Sequence, residues 1–324
     1  MMKREAVPVY VSIDLGSHTV RMLIAQWIEE KSILRALLRR RSYVRLARDF
    51  EAAKPHTIKG PAVDRAIRCL AEFRRISEEF NPTYIQVVAT GVLREAANSK
   101  DLIRMFQEET KLPVRLLSGE EEGRLTGLAL CRSVDVKGRT FIAFDLGGGS
   151  TELFLRGEKS TKAASVPLGA ALLTERYLVS DPPLEEETER ARSEIIRVLE
   201  QGVAADFRKE RLLFIGTGGT VTTLAAVIHG IGADEIGPER MNGLKLERGM
   251  VEGLFSRMKR MPLEERLKAL NLEKGRAEVI LGGTIAAIEI LKFFDAPEMM
   301  ISLSDLLEGV LFEKLGFTIT GKNA

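Results

Sequence analysis

Hydrophobic and polar positions along this chain follow two alternating periods, and the switches between them mark its elements. Pro8 to Asp14 and Val20 to Ile28 are apolar β-type runs on either side of the turn Gly16-Ser17-His18, which predicts a strand hairpin. Ser32 to Leu46 predicts a third strand, whose Arg35, Arg39, Arg40, Arg41 and Arg45 read as a solvated face. From Pro61 the period lengthens. Val63, Ile67, Leu70, Phe73, Ile76 and Phe80 recur at intervals of three and four, one face of a helix with proline in its permitted first turn. The run Tyr84 to Ala89 then leads through Thr90-Gly91 into a helix bearing Arg94, followed by a helix over Ser99 to Thr110 and a strand over Pro113 to Leu117. Strands alternating with helices predict a layered α/β domain.

Near Lys137 the pattern starts again. Thr140 to Leu155 reads TFIAFDLGGGSTELFL, two apolar runs around a glycine turn. A strand around Thr161 to Val166, a helix over Leu168 to Leu178 and a charged helix from Ser180-Asp181-Pro182-Pro183 to about Phe207 follow. Leu212 to Ile215 is a buried-strand run, and Gly216-Thr217-Gly218-Gly219-Thr220 opens a helix over Val221 to Ile228. The segment DLGSHTVRMLI from Asp14 matches DLGGGSTELFL from Asp145 in its aspartate, leucine and first glycine. That spacing is too long for a solenoid repeat and suits a duplicated domain, with one anion-binding hairpin in each half facing a common cleft.

The glycine turns carry the candidate chemistry. Without Cβ atoms, Gly147, Gly148, Gly149 and Ser150 bring backbone N–H groups close enough to form a nest for phosphate oxygens. Asp145 and Glu152 stand at its two mouths, and a carboxylate pair over phosphate suits Mg²⁺. A plain glycine hairpin with solvated acids is the competing reading. In the later loop Gly216, Gly218, Gly219 and Thr220 sit at a helix amino end, which favours anions, although tight packing also selects glycine. Thr90 and Arg94 fall at the carboxyl end of a strand, where open α/β sheets bind ligands. An arginine there forks onto phosphate or serves as an ordinary surface residue. Ser118 and Glu121 form a capping box, and Glu120 complements the helix start. Glu122 has neither explanation and lies where the chain passes between its halves, within reach of the cleft, so a catalytic role stands open beside an ordinary structural one.

Composition narrows the function classes. The 324 residues, 45% of them hydrophobic, predict about two globular domains. Forty-eight basic against 46 acidic side chains give a net charge of +2, which argues against a nucleic-acid partner. Cys69 and Cys131 have no metal-type spacing and fall in helical patterns as small buried hydrophobes, which implies a reducing compartment. No run approaches the ~18 apolar residues of a membrane span, and the N-terminal segment does not fit a signal peptide. A cytoplasmic protein without a membrane partner is expected.

Five ordered motifs then carry a resemblance. IDLGSHTVRMLIA (Ile13 to Ala25), ATGVLREA (Ala89 to Ala96), SGEEEGR (Ser118 to Arg124), FDLGGGSTEL (Phe144 to Leu153) and GTGGTVTTLAA (Gly216 to Ala226) closely resemble the exopolyphosphatase and guanosine pentaphosphate phosphohydrolase family, Ppx/GppA. RAEVILGG at Arg276 to Gly283 and LEGVL at Leu307 to Leu311 extend it over nearly the whole chain. The resemblance implies two α/β domains of the acetate kinase, sugar kinase, Hsp70 and actin superfamily around a central cleft. The first would comprise residues 1–132 plus about 304–324, the second residues 133–303. It implies Glu122 as the water-activating glutamate, Asp145 and Glu152 as Mg²⁺-associated carboxylates, and Arg94 as a phosphate contact. Asp14, Gly16, Ser17, His18 and Arg21 fall on the first phosphate loop, and Arg45 on an arginine of a Val-Arg-Leu segment. The implied substrates are inorganic polyphosphate or guanosine penta- and tetraphosphate, and a homodimer is left open.

Three departures from the family pattern bear on substrate choice. His18 replaces an asparagine, Asn242 precedes Gly243 where His-Gly is common, and Ser302-Leu303-Ser304-Asp305-Leu306-Leu307-Glu308-Gly309 lacks an acid, a glycine and an arginine of the family's late segment. The chain is expected to be the short form, without the further helical domain of longer members. A non-catalytic alarmone or nucleotide sensor and a phosphotransferase of the same superfamily are the alternatives.

Overall fold

In the computed structural model, which describes residues 7–49, 56–58, 60–136, 139–157, 160–203 and 212–319, both expected hairpins form. The first pairs β1 (Val9–Leu15) with β2 (Thr19–Ile28) antiparallel, Asp14 opposite Arg21. β3 (Ile33–Tyr43) continues the meander but ends short of the expected Leu46. Arg45 adopts φ 53° and gives its N–H to the His18 carbonyl, so the chain cannot stay extended. β4 (Tyr84–Ala89) and β5 (Val114–Leu116) add parallel strands, giving the order β3-β2-β1-β4-β5. α1 (Gly60–Glu78) buries Val63, Ala66, Leu70 and Phe73 against Val20, Met22 and Ile24 of β2, as its period predicts. The helix bearing Arg94 is a single turn, α2 (Val92–Glu95), followed by α3 (Ser99–Thr110).

The second sheet repeats this design. β6 (Phe141–Leu146), β7 (Thr151–Arg156) and β8 (Thr161–Val166) form the meander, and β9 (Leu213–Thr217) lies parallel to β6. β11 (Glu298–Ile301) lies parallel to β9, and β10 (Lys245–Glu247) is added antiparallel at the edge, for the order β10-β11-β9-β6-β7-β8. β6 to β9 and β11 thus match β1 to β5 one for one, the duplication read from the two aspartate-glycine turns.

The helices of this half are α4 (Gly119–Ser133), α5 (Ala170–Tyr177), α6 (Glu185–Gly202), α7 (Gly219–His229), α8 (Pro238–Met241), α9 (Arg248–Met258), α10 (Leu263–Ala269) and α11 (Lys274–Phe293). Phe207, the expected end of α6, lies outside the described residues. α11 is buried on all sides from Val279 to Leu291, a mostly apolar rod in the core whose one buried acid, Glu289, pairs with Arg192 of α6. Each fully buried Leu, Ile or Phe contributes roughly 1.5–3 kcal/mol of transfer free energy.

Contacts divide the chain into one unit of Met1–Ser118 with Leu306–Thr318 and another of Gly119–Asp305 with Ile319–Ala324. α4, which the sequence expectation assigned to the first domain, packs on β7 and β8 of the second unit. α12 (Leu306–Lys314) returns to the first unit, where the Ser12 hydroxyl donates to the Leu307 carbonyl at 2.8 Å. Among the described residues no helix is long and apolar enough to cross a membrane.

Candidate functional site

In the second unit the triple-glycine turn is held by its carbonyls. Ala170 N donates to the Gly147 carbonyl, and Ala171 N and Leu172 N donate to that of Gly148, so the amino end of α5 takes up the oxygens. Gly169 packs so tightly under the Gly148–Gly149 peptide that a Cβ there would overlap its backbone. The N–H groups of Gly148, Gly149 and Ser150 donate to no protein acceptor among the described residues. Unclaimed amides at a glycine turn are what the expected phosphate nest requires.

The second glycine loop touches the first. Gly218 has φ +95°, and a Cβ there would lie 2.5 Å from the Leu146 carbonyl and 2.7 Å from Asp145 Oδ1. Only glycine lets this backbone lie on that carboxylate. α7 starts at Gly219, and its first amides have no intrahelical acceptor. The Arg276 guanidinium, from the first turn of α11, packs directly on Gly219. A cation beside the amino ends of two helices opposes both dipoles.

Asp145 and Glu152 are cross-strand partners on β6 and β7 and are both buried. Directly opposed side chains share one face of a sheet. The row continues to Ser165 on β8, whose hydroxyl donates to Glu152 Oε1 at 2.8 Å, and to Thr217 on β9, the register partner of Asp145. α4 covers this face on three glycines one turn apart. A Cβ on Gly119 would lie 2.5 Å from Ser165 Cβ, on Gly123 3.0 Å from Ala163 Cβ, and on Gly127 2.6 Å from the Phe154 ring. Glu122, next to the middle glycine, is 7% exposed. At the far end of α4 burial pushes the Cys131 thiol up, while the Arg156 guanidinium donating to its sulfur at 3.4 Å opposes that shift.

Among the described residues no three His, Cys, Asp or Glu side chains converge as a closed metal cage. Two carboxylates beside free amides fit Mg²⁺, which keeps several waters and binds phosphate oxygens, better than they fit a metal that needs a full protein shell.

In the first unit Asp14 organises the matching turn. Its Oδ2 accepts from Arg21 Nε at 3.0 Å and Nη2 at 2.7 Å, and its Oδ1 accepts from the Thr90 hydroxyl at 3.1 Å. The Ser17 hydroxyl accepts from Val92 N at 2.8 Å and so caps α2. Gly16 N donates to the Thr19 carbonyl, while the carbonyls of Ser17 and His18 accept from Ala47 and Arg45. His18 is buried edge-on to Tyr43. Arg94 donates weakly to the Leu117 carbonyl at 3.4 Å.

The predicted residues therefore form two groups. Asp14, Gly16, Ser17, His18, Arg21, Arg45, Thr90 and Arg94 belong to the first unit. Glu122, Asp145, Gly147 to Ser150, Glu152, Gly216, Gly218, Gly219 and Thr220 belong to the second. Sequence reasoning did not single out Arg276 or Ser165 as site residues. A cation in the first turn of an apolar helix was the available signal for Arg276; Ser165 had none.

Comparison with known proteins decides the family. The Ppx/GppA phosphatase family matches residues 23–317. The chain belongs to that family. The Aquifex aeolicus Ppx/GppA family member is 29% identical, with a TM-score of 0.78 over 96% of this chain and 98% of that one. An exopolyphosphatase from Cytophaga hutchinsonii, 24% identical, shares the fold with a TM-score of 0.85 over 97% and 100% of the two chains. The architecture is thus the family's actin-like two-domain α/β fold. A bifunctional 3-dehydroquinate synthase/phosphatase from Fusobacterium nucleatum is 27% identical over 318 residues, 93% of this chain and 46% of that protein. The chain spans about half the length of that curated relative.

Proposed function

We propose that this Ppx/GppA family member is a Mg²⁺-dependent phosphohydrolase that removes the terminal phosphate of inorganic polyphosphate or guanosine pentaphosphate. The observation that carries the reading is the Asp145–Glu152 row, with free amides at its turn, Gly218 against Asp145, and the helix of Glu122 seated on the same sheet face. Mg²⁺, when bound at Asp145 and Glu152, would neutralise charge on the terminal phosphate.

The amides of Gly148, Gly149 and Ser150 and the amino end of α7 hold the phosphate oxygens. Arg276 supplies a countercharge at Gly219. Glu122 accepts a proton from water as the water oxygen bonds to phosphorus. The bridging P–O bond breaks, and its electrons leave with the shortened chain. The residues of the first unit, Asp14 with Arg21 and Thr90 above all, are proposed as the second phosphate-binding group.

The test measures phosphate release from short polyphosphate and from guanosine pentaphosphate, with and without an added phosphoryl acceptor. Release that needs no acceptor supports hydrolysis. Release only with acceptor identifies a phosphotransferase, and binding without release a sensor.

A further inference from the structure

Ser165 stands at two junctions. As the register partner of Glu152 it donates its hydroxyl to Oε1 at 2.8 Å, and its Cβ is the seat of Gly119, the first residue of the helix that carries Glu122. A carboxylate on a metal needs its second oxygen held if it is to stay in one rotamer, and partners of this kind tune metal affinity. The Glu152 side chain is buried, so water offers it little alternative donation. The seat also limits what Ser165 can be. Gly119 already lies closer to Ser165 than a Cβ would allow, so a larger residue would lift the start of α4. A small side chain with a hydroxyl meets both demands.

We propose that Ser165 is a positioning residue that fixes the Glu152 carboxylate for the divalent cation and, through Gly119, sets the height of the Glu122 helix above it. This rests on the reading of Glu152 as a Mg²⁺ ligand. Ser165→Ala keeps the Cβ and removes only the hydroxyl. Its expected effect is a 10- to 100-fold rise in the Mg²⁺ concentration for half-maximal phosphate release, the loss typical of an outer-shell partner. Mg²⁺ binding measured by calorimetry without substrate weakens by the same factor. In a Glu152→Gln background the same substitution has no further effect, because it acts through Glu152. Ser165→Cys, similar in size with a weaker donor, falls between wild type and Ala and stands in if Ala does not fold.

If wild type needs Mg²⁺ and Ser165→Ala shows the same requirement and the same calorimetric affinity, the proposal is overturned while the metal reading stands. Additive losses in the double variant overturn it as well. If wild-type release survives excess chelator, the metal reading fails and takes this proposal with it.

Discussion

Gly127→Ala sets two physical effects against each other on the helix that carries Glu122. Alanine is the better helix former by about 1 kcal/mol, so propensity alone predicts stabilisation. The new Cβ, however, would lie 2.6–2.7 Å from three atoms of the Phe154 ring, against about 3.5–4.0 Å for a relaxed carbon contact. Phe154 is 2% exposed and packs on Phe141 at 5.9 Å between ring centres, so it has no room to retreat. Overpacking costs about 1–3 kcal/mol, and three simultaneous overlaps place this case at about 3. The net loss is about 2 kcal/mol. At roughly 2–4 °C per kcal/mol for a unit of this size, Tm falls by about 4–8 °C in calorimetry. Gly253→Ala is the control, since a Cβ there meets nothing within 4 Å in the middle of α9, and it should raise Tm by about 2–4 °C. A Gly127→Ala protein as stable as wild type or more so would refute the close seating of α4.

Asp145→Asn and Glu152→Gln should each raise the Mg²⁺ concentration needed for phosphate release, because oxygen charge sets affinity for a hard cation; equal requirements across a Mg²⁺ titration would count against the metal site. Burial pushes the Cys69 thiol up to about 11 from 9.0, with Glu72 adding to the rise and the Ser42 hydrogen bond opposing it. The folded state therefore holds this proton more tightly than the unfolded state. The stability it contributes is present below pH 9 and is lost as pH rises through 11. Urea unfolding at pH 8 to 11 should show wild type losing more stability than Cys69→Ala over that interval, and parallel curves would contradict the burial argument.

Both hairpins were legible because each sets two apolar runs around glycine, a signal confined to about fifteen residues. α1 was legible for the same local reason, its period of three and four matching the face it buries. What sequence could not supply is the non-local meaning of local signs. Glu121 and Ser118 read as a local cap, but nothing local announces that the helix also seats on Gly119, Gly123 and Gly127, whose partners lie on β7 and β8 later in the chain. Arg39 is exposed, as its solvated face predicts, but it also pairs with the buried Glu308 of α12, near the other end of the sequence, which no local sign announces. β3 stops early because Arg45 turns left-handed to meet His18, a demand of the neighbouring turn and not of its own residue type.

Glu122 is proposed to activate water for attack on a terminal phosphate. Hydrolysis of short polyphosphate and guanosine pentaphosphate in ¹⁸O-water, by wild type and by Glu122→Gln, tests it most directly. Each phosphate released by wild type should carry one solvent oxygen, and the variant should turn over at a rate roughly 10²- to 10⁴-fold lower with substrate binding retained. Unlabelled phosphate, or a folded Glu122→Gln protein that turns over at the wild-type rate, would contradict it.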